Sequence, residues 1–266
     1  MDYEAEYNNR AKVPGFAPIV EGWYRDAAAF RGSHPYADLG VAYGPGERNA
    51  LDIFWPSRER AGRMAIFVHG GYWQMQHRFG ASHLATGLLA HGVAVAMPSY
   101  DLCPGVTMAA LIEQVRDAAA FLARHHGGRM LAMGHSAGGH LAAMLLATDW
   151  AARGLPGDTV SAAMPISGLF DLPPLTHTSI NKAVGLDEAE ARRLSPLLLP
   201  SPGKPLHAWV GGTEGVEYTR QARSIAEAWG GTWSALEGAN HFDVIAPLTD
   251  AASPMAARAQ ALLGAG

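Results

Sequence analysis

The sequence predicts an α/β fold in which a mostly parallel central sheet is covered by helices on both faces. Apolar strand-like runs alternate with helical patterns along the chain, as expected where parallel strands are connected through helices. Two of the runs, 64–68 and 130–133, stop at glycine-rich turns before a helical pattern follows. Apolar residues make up 48% of the 266 residues, enough for a large core, and we find no repeat or linker. We therefore expect one domain over residues 1–266.

The N-terminal region contains an aromatic segment and a predicted hairpin. Residues 1–35 have scattered aromatic side chains and one helix-like stretch at 21–30, so we expect an N-terminal arm. Two interpretations remain open, an arm packed on the domain surface and an arm that helps to roof a pocket. Runs 39–43 and 51–55 flank a Gly-Pro-Gly turn, which predicts two antiparallel strands.

The remaining elements follow from hydrophobic periodicity and from the residues that start and stop helices. Continuous apolar runs predict strands at 64–68, 93–97, 130–133, 162–166, 206–210 and 232–236. Amphipathic or alanine-rich patterns predict helices at 79–91, 108–124, 139 to about 150, 187–194, 216–229 and 253–263. Residues 168–204 are proline-rich and irregular, so we expect a cap-like insertion near the mouth of a site.

Charge and cysteine content narrow the class of partners. The formal net charge is −4 without a Lys/Arg cluster, which does not favour a nucleic-acid partner. Cys103 is the single cysteine, so no intrachain disulfide can form, and this suits a reducing cytoplasm. The acidic N-terminus differs from a signal peptide, and no apolar run approaches the roughly 20 residues that span a bilayer. We expect a cytoplasmic protein without a membrane partner; a homodimer is compatible with the sequence.

A Gly-x-Ser-x-Gly motif separates the run at 130–133 from the following helix. A strand that turns into a helix within about five residues forces a strained backbone at the apex, where flanking glycines remove clashing Cβ atoms. Gly134 and Gly138 flank Ser136, which would stand clear of the sheet near a helix N-terminus. The motif also occurs by chance in ordinary turns. Its place between a strand and a helix favours a nucleophile elbow with Ser136 as nucleophile.

A serine nucleophile needs a base within hydrogen-bond reach. With an elbow serine the expected chain order is serine, acid, histidine, and reacting groups follow the carboxyl ends of strands. His177 falls in the irregular insertion and His207 inside a strand, whereas His241 follows the last strand. We predict His241 as the base.

The acidic residue should follow the carboxyl end of the preceding strand, 206–210. Glu214 lies in the loop after that strand, whereas Glu217 falls in the first helical turn, where a carboxylate simply complements the helix dipole. Asp171 follows an earlier strand, and Asp243 is too close in sequence to the base to support it from below. We predict Glu214 as the acid that orients the imidazole.

Acyl transfer also needs N–H donors aimed at the oxyanion. The sequence His-Gly-Gly-Tyr-Trp at 69–73 follows a strand, and its glycines let backbone N–H groups approach a ligand. The N–H groups of Gly71, Tyr72 and Ala137 would form the oxyanion hole, with Gly70 shaping the turn. The alternative is a Gly-Gly turn with two core aromatics. No His/Cys/Asp/Glu cluster has metal-ligand spacing.

These motifs resemble the α/β-hydrolase-type arylformamidases, also called kynurenine formamidases. Similar segments extend from about residue 7 to 248, and related carboxylesterases share much of the pattern. The family's serine, acid and histidine fall on Ser136, Glu214 and His241, although the family acid is often aspartate. The resemblance implies an α/β-hydrolase fold and hydrolysis of N-formyl-L-kynurenine to L-kynurenine and formate in tryptophan catabolism, without a metal or organic cofactor. The segments that carry it are 69–73, 99–104, 134–142, 167–172, 217–223 and 240–242.

Three functions follow from this reading. The first is hydrolysis of an aryl formamide, with Tyr72, Trp73 and the N-terminal aromatic residues stacking on the aryl ring; core positions are the alternative. The second is a carboxylesterase for small aryl or short acyl esters. The third is a non-catalytic binding protein, which would have no need for the complete set of serine, acid, histidine and Gly-Gly turn.

Overall fold

Eight strands form one sheet in this computed structural model, which describes residues 1–60 and 62–264. Their order is β1-β2-β4-β3-β5-β6-β7-β8; the first two strands form an antiparallel hairpin, β2 is antiparallel to β4, and all other pairs are parallel. The predicted hairpin and mostly parallel sheet are confirmed. The strands are β1 Ala37–Ala42, β2 Ala50–Phe54, β3 Arg63–Val68, β4 Val93–Pro98, β5 Met130–His135, β6 Val160–Ile166, β7 His207–Gly211 and β8 Thr232–Leu236.

The helices predicted at 108–124, 187–194, 216–229 and 253–263 are present within two residues of their predicted bounds. The helix predicted from 139 to about 150 covers 137–146, and three short helices at 3–7, 9–12 and 181–184 are not predicted. The segment predicted as a single helix over 79–91 consists of two 3-10 turns and a short helix, because Gly80 and Gly87 lower its helix propensity. The helices are α1 Tyr3–Tyr7, α2 Asn9–Lys12, α3 Phe16–Ser33, α4 Thr86–Ala90, α5 Met108–His126, α6 Ala137–Leu146, α7 Asn181–Val184, α8 Glu188–Arg193, α9 Val216–Trp229 and α10 Pro254–Gly264. The 3-10 turns are Arg78–Gly80, Ser82–Ala85, Ala151–Arg153, Pro173–His177, Pro196–Leu198 and Ala246–Thr249.

The sheet separates two hydrophobic cores, because successive side chains of a strand point to opposite faces. On β3, Met64, Ile66 and Val68 pack into a core shared with α5, α6 and α9. Ala65 and Phe67 pack into the other core, which includes residues of α4 and α10 and is covered in part by α3. Both faces of the central strands are therefore buried, as the continuous apolar runs predict.

The N-terminal arm is attached to the domain by buried hydrogen bonds. The Tyr7 hydroxyl donates to Glu217 at 2.8 Å, and the Asn9 amide donates to the Tyr218 hydroxyl at 2.7 Å. Both acceptors belong to α9, so the arm is fixed beside the loop that carries Glu214. No helix within residues 1–60 and 62–264 has the length and apolar character needed to cross a membrane.

Candidate active site

Ser136 occupies a strained turn between β5 and α6. Its backbone has φ 56° and ψ −119°, a conformation that costs a non-glycine residue about 1–3 kcal/mol. A Cβ on Gly134 would lie 2.2 Å from the Gly138 carbonyl oxygen, and a Cβ on Gly138 would lie 1.9 Å from the Val68 carbonyl oxygen. Glycine is therefore required on both sides of the serine, which is the reason for the predicted Gly-x-Ser-x-Gly spacing.

The close approach at Gly138 gives a stability prediction. Gly138→Ala should lower the free energy of unfolding by about 3 kcal/mol, because backbone atoms of β3 would have to move away from the new methyl group. Urea denaturation followed by circular dichroism measures the change. The matched control is Gly32→Ala in α3, where an added Cβ meets no atom within 4 Å and should raise stability by up to about 1 kcal/mol. Equal stabilities of the two variants would contradict the packing argument.

His241 and Glu214 are in direct contact. His241 follows β8, and its Nδ1 lies 2.6 Å from a carboxylate oxygen of Glu214, whose side chain is fully buried. Since a carboxylate accepts, Nδ1 carries the proton and Nε2 is left as an acceptor. The other oxygen of Glu214 accepts from the Gly211 N–H at 2.6 Å and from the Ser167 hydroxyl. This arrangement fixes the tautomer that a general base requires.

The competing acids are engaged elsewhere. Burial raises the pKa of Glu217, but hydrogen bonds from Arg220 and Tyr7 outweigh it and hold the pKa below its usual range. Asp171 pairs with the same arginine at 3.0 Å. The Asp243 carboxylate accepts hydrogen bonds from the backbone N–H and the side-chain amide of Asn240, both at 2.6 Å. These bonds stabilise the loop that contains both residues. Within the described ranges none of the three competing acids makes a hydrogen bond or an ion pair with the His241 imidazole, whose carboxylate partner is Glu214.

The competing histidines lie away from the elbow. His207 is on β7, where its Nδ1 is 2.7 Å from the Thr232 hydroxyl on the neighbouring strand. His177 ends the 3-10 turn Pro173–His177 within the insertion. His241, in contrast, lines a surface cleft together with Ser136. In the part of the chain that the structure describes, the Ser136 hydroxyl makes no hydrogen bond; such contacts are often long before a substrate binds.

The turn after β3 lies against the elbow. A Cβ on Gly70 would be 2.7 Å from the His135 carbonyl oxygen and 3.1 Å from the Ser136 Cβ. Gly71 has φ 103°, and a Cβ there would be 2.4 Å from the Met75 carbonyl oxygen. Only glycine allows the backbone to approach the serine this closely while turning back on itself.

Three backbone N–H groups are available at this junction. Those of Gly71 and Tyr72 donate to no described residue, and Tyr72 has φ 49°. Ala137 is the first residue of α6, so its N–H has no acceptor within the helix. These are the three donors that the sequence assigns to an oxyanion hole.

The N-terminal arm lines the cleft above Ser136. This agrees with the interpretation in which the arm helps to roof a pocket. The cleft encloses about 760 Å³ when its open mouth is counted. Phe16 and Trp23 of α3 lie against Phe242, with ring centroids 5.4 and 6.1 Å apart. The arm residues that line the cleft are Asn9, Arg10, Phe16, Val20 and Trp23.

One sequence expectation about the surroundings of the cleft is wrong. Trp73 is fully buried and meets His140 edge to face at 5.3 Å, so it belongs to the core rather than to a substrate site. Tyr72 does line the cleft. Residues 168–204 do not line this cleft in the described chain, but Ser179 and Ile180 line a neighbouring pocket that shares Tyr72 and Met75 with it. Most apolar side chains of the insertion pack in the core beside α6 and α9. Those side chains include Leu169, Phe170, Leu172, Leu175, Leu186 and Leu194.

His135 is a site residue that the sequence reasoning missed. Its Nε2 donates to the His241 carbonyl at 2.8 Å, and the two imidazole centroids are 4.7 Å apart. Burial, and then the neighbouring His241, hold the pKa of His135 well below its ordinary value, so the ring is a neutral brace for the loop. The available signal was its place between Gly134 and Ser136, which puts it beside the elbow.

Comparison with solved structures establishes the class of the protein. A candidate thioesterase from Silicibacter sp. TM1040 is 37% identical and has a TM-score of 0.89, with 97% of this chain and 98% of that chain covered. Esterase B from Lactobacillus rhamnosis has a TM-score of 0.70 at 17% identity, covers 93% and 95% of the two chains, and shows the fold alone. The family described as BD-FAE matches residues 51–165. The protein is an α/β-hydrolase.

Sequence relatives narrow this class. The kynurenine formamidases of Salmo salar and Danio rerio are 30% and 29% identical over 80% of this chain and 77% of each relative. The chain belongs to the kynurenine formamidase family, and it is a hydrolase that acts on amide or ester bonds. The resemblance seen in the motifs is confirmed. Among residues 1–60 and 62–264, no group of three His, Cys, Asp or Glu side chains is placed to hold a metal.

Proposed function

We propose that this hydrolase cleaves the formamide of N-formyl-L-kynurenine to L-kynurenine and formate, with Ser136, His241 and Glu214 as its catalytic triad. The observation that carries the proposal is the match to proteins named kynurenine formamidase over four-fifths of the chain. The cleft supports it, because the aromatic rings of Phe16, Trp23 and Phe242 suit an aryl group beside the elbow. We expect these rings to contact the aryl group, whereas Trp73 is buried in the core.

The first half of the reaction forms a formyl-enzyme. His241 Nε2 takes the Ser136 proton as the oxygen adds to the formyl carbon, and Glu214 stabilises the resulting imidazolium. The carbonyl oxygen becomes an oxyanion that accepts from the N–H groups of Gly71, Tyr72 and Ala137. Each such donor is typically worth about 3 kcal/mol in the transition state. His241 then gives the proton to the aryl nitrogen, the C–N bond breaks, and the arylamine leaves.

The second half removes the formyl group by the same route. A water molecule adds to the formyl ester carbon while His241 takes one of its protons. Collapse of the oxyanion breaks the bond to the Ser136 oxygen, which regains the proton as formate leaves. The close approach of Gly70 to Ser136, where an added Cβ would lie 3.1 Å from the serine Cβ, favours a small acyl group at this position.

A second candidate is the hydrolysis of esters or thioesters with small acyl groups. It is favoured by the 37% identity to the Silicibacter sp. TM1040 structure, which is described as a candidate thioesterase. The same triad and the same oxyanion donors serve both reactions. They differ at the leaving group, because an arylamine must be protonated to depart whereas a thiolate or phenolate leaves without protonation.

The kcat/KM values for N-formyl-L-kynurenine and for p-nitrophenyl acetate separate the two candidates. We expect the formamide to exceed the activated ester by about tenfold or more, because remote contacts to the true substrate are used in the transition state. Negligible formamide cleavage together with rapid turnover of the ester would reverse the assignment. Ser136→Ala should abolish both activities, which shows that they come from one site.

A further inference from the structure

A second pocket adjoins the cleft at Ser136. Four residues line both of them: Asn9, Arg10, Tyr72 and Met75. The second pocket has a more polar lining, which includes Glu4 of α1. A substrate whose acyl carbon meets Ser136 would therefore extend its other end past α2 toward this pocket.

The lining of the main cleft carries an unbalanced positive charge. Among the described residues no Asp or Glu lines it, and Arg10 is the lining side chain with a permanent charge. Burial lowers the pKa of His69 to about 3 and that of His77 to about 4, and it also lowers that of His135, so these rings are neutral. A negatively charged group on the substrate would be favoured at Arg10.

Arg10 has no carboxylate partner in the described chain. Its Nη2 contacts the sulfur of Met75, a weak acceptor, and its guanidinium lies 5.5 Å from the centroid of the Phe16 ring. The residue before it is buried and fixed, since Asn9 donates to the hydroxyls of Tyr72 at 3.0 Å and Tyr218 at 2.7 Å. The arm therefore holds an uncompensated guanidinium at the junction of the two pockets, anchored to the residue that supplies an oxyanion donor.

We propose that Arg10 binds the α-carboxylate of an amino-acid substrate and thereby selects aryl formamides that carry a free amino-acid head group. The inference rests on the proposed function and adds the head-group site to it. A guanidinium presents two parallel N–H donors that match a carboxylate. The α-ammonium then faces the second pocket, where Glu4 accepts from the backbone and hydroxyl of Ser179. Those hydrogen bonds, the backbone one foremost, lower the pKa of Glu4 and keep it ionised.

The test compares two substrates in wild type and Arg10→Gln. One is N-formyl-L-kynurenine, and the other is its decarboxylated analogue, which keeps the aryl formamide, the ketone and the amine. In wild type we expect the carboxylate to lower KM by about tenfold or more, the value of one charge-assisted contact. Arg10→Gln should remove that advantage by raising KM for N-formyl-L-kynurenine alone, with kcat for both substrates within about twofold of wild type. Arg10→Lys should recover part of the advantage.

The control is Arg25→Gln, which removes the same charge from α3 at a position that pairs with Asp26 and lines neither pocket. It should leave both substrates unchanged. An equal loss on both substrates in Arg10→Gln would mean that Arg10 holds the arm rather than a carboxylate, and equal KM values in wild type would also overturn the site. If wild type turns over neither of the two formamides, the proposed function is overturned, and the head-group site with it.

Discussion

Ser136→Ala is expected to lower kcat/KM for N-formyl-L-kynurenine by about 10⁴-fold or more, because loss of the nucleophile leaves only binding and the oxyanion donors. The fold should be unaffected, since alanine keeps the Cβ atom and replaces serine at the same φ of 56°. A steady-state assay measures the loss, and labelling with an organophosphonate probe followed by peptide mapping locates the modified residue. Wild type should be labelled at Ser136, and Ser136→Ala should not be labelled.

Ser33→Ala is the control for this variant. Ser33 is the last residue of α3, and its hydroxyl donates to the Phe30 carbonyl oxygen. It does not line the cleft. Activity and labelling of Ser33→Ala should match those of wild type. Activity of Ser136→Ala within about tenfold of wild type would remove Ser136 as the nucleophile. Failure of the probe to label Ser136 in the folded wild type would favour a non-catalytic binding function.

The parts of the site that the sequence predicts are those set by local backbone geometry. The turn at Ser136 needs glycine at 134 and 138 because carbonyl groups lie where Cβ atoms would be. The parallel sheet then brings the ends of β7 and β8 together, which places Glu214 against His241. Both consequences follow from strand order and from residue types, so single-sequence reasoning reaches them.

The parts that it does not predict depend on side-chain direction and on long-range packing. Tyr72 and Trp73 are adjacent and both have positive φ, yet the first ring reaches the cleft while the second turns into the core. Nothing in their spacing distinguishes them. The insertion at 168–204 resembles a cap in composition; most of its leucines complete the core, while Ser179 and Ile180 line the second pocket. The arm lacks clear periodicity because α3 packs on one side against a core and on another side faces the cleft.

Glu214→Gln is expected to lower kcat by about 10³- to 10⁴-fold, because it reverses the tautomer of His241. One oxygen of Glu214 accepts from the Gly211 N–H, a group that can only donate. A glutamine would therefore place its carbonyl oxygen on that side and its NH₂ group toward His241 Nδ1. The imidazole would have to accept at Nδ1 and carry its proton on Nε2, where it could not take a proton from Ser136.

Glu217→Gln is the matched comparison, three residues away with the same change of one atom. Its carbonyl oxygen would still accept from Tyr7 or Arg220, and neither contact reaches His241, so kcat should stay within about tenfold of wild type. Its effect should fall on the attachment of the arm, seen as a lower free energy of unfolding. Equal losses of kcat in the two variants would end the assignment of Glu214. A large loss of kcat in Glu217→Gln, without one in Glu214→Gln, would identify Glu217 as the acid of the triad.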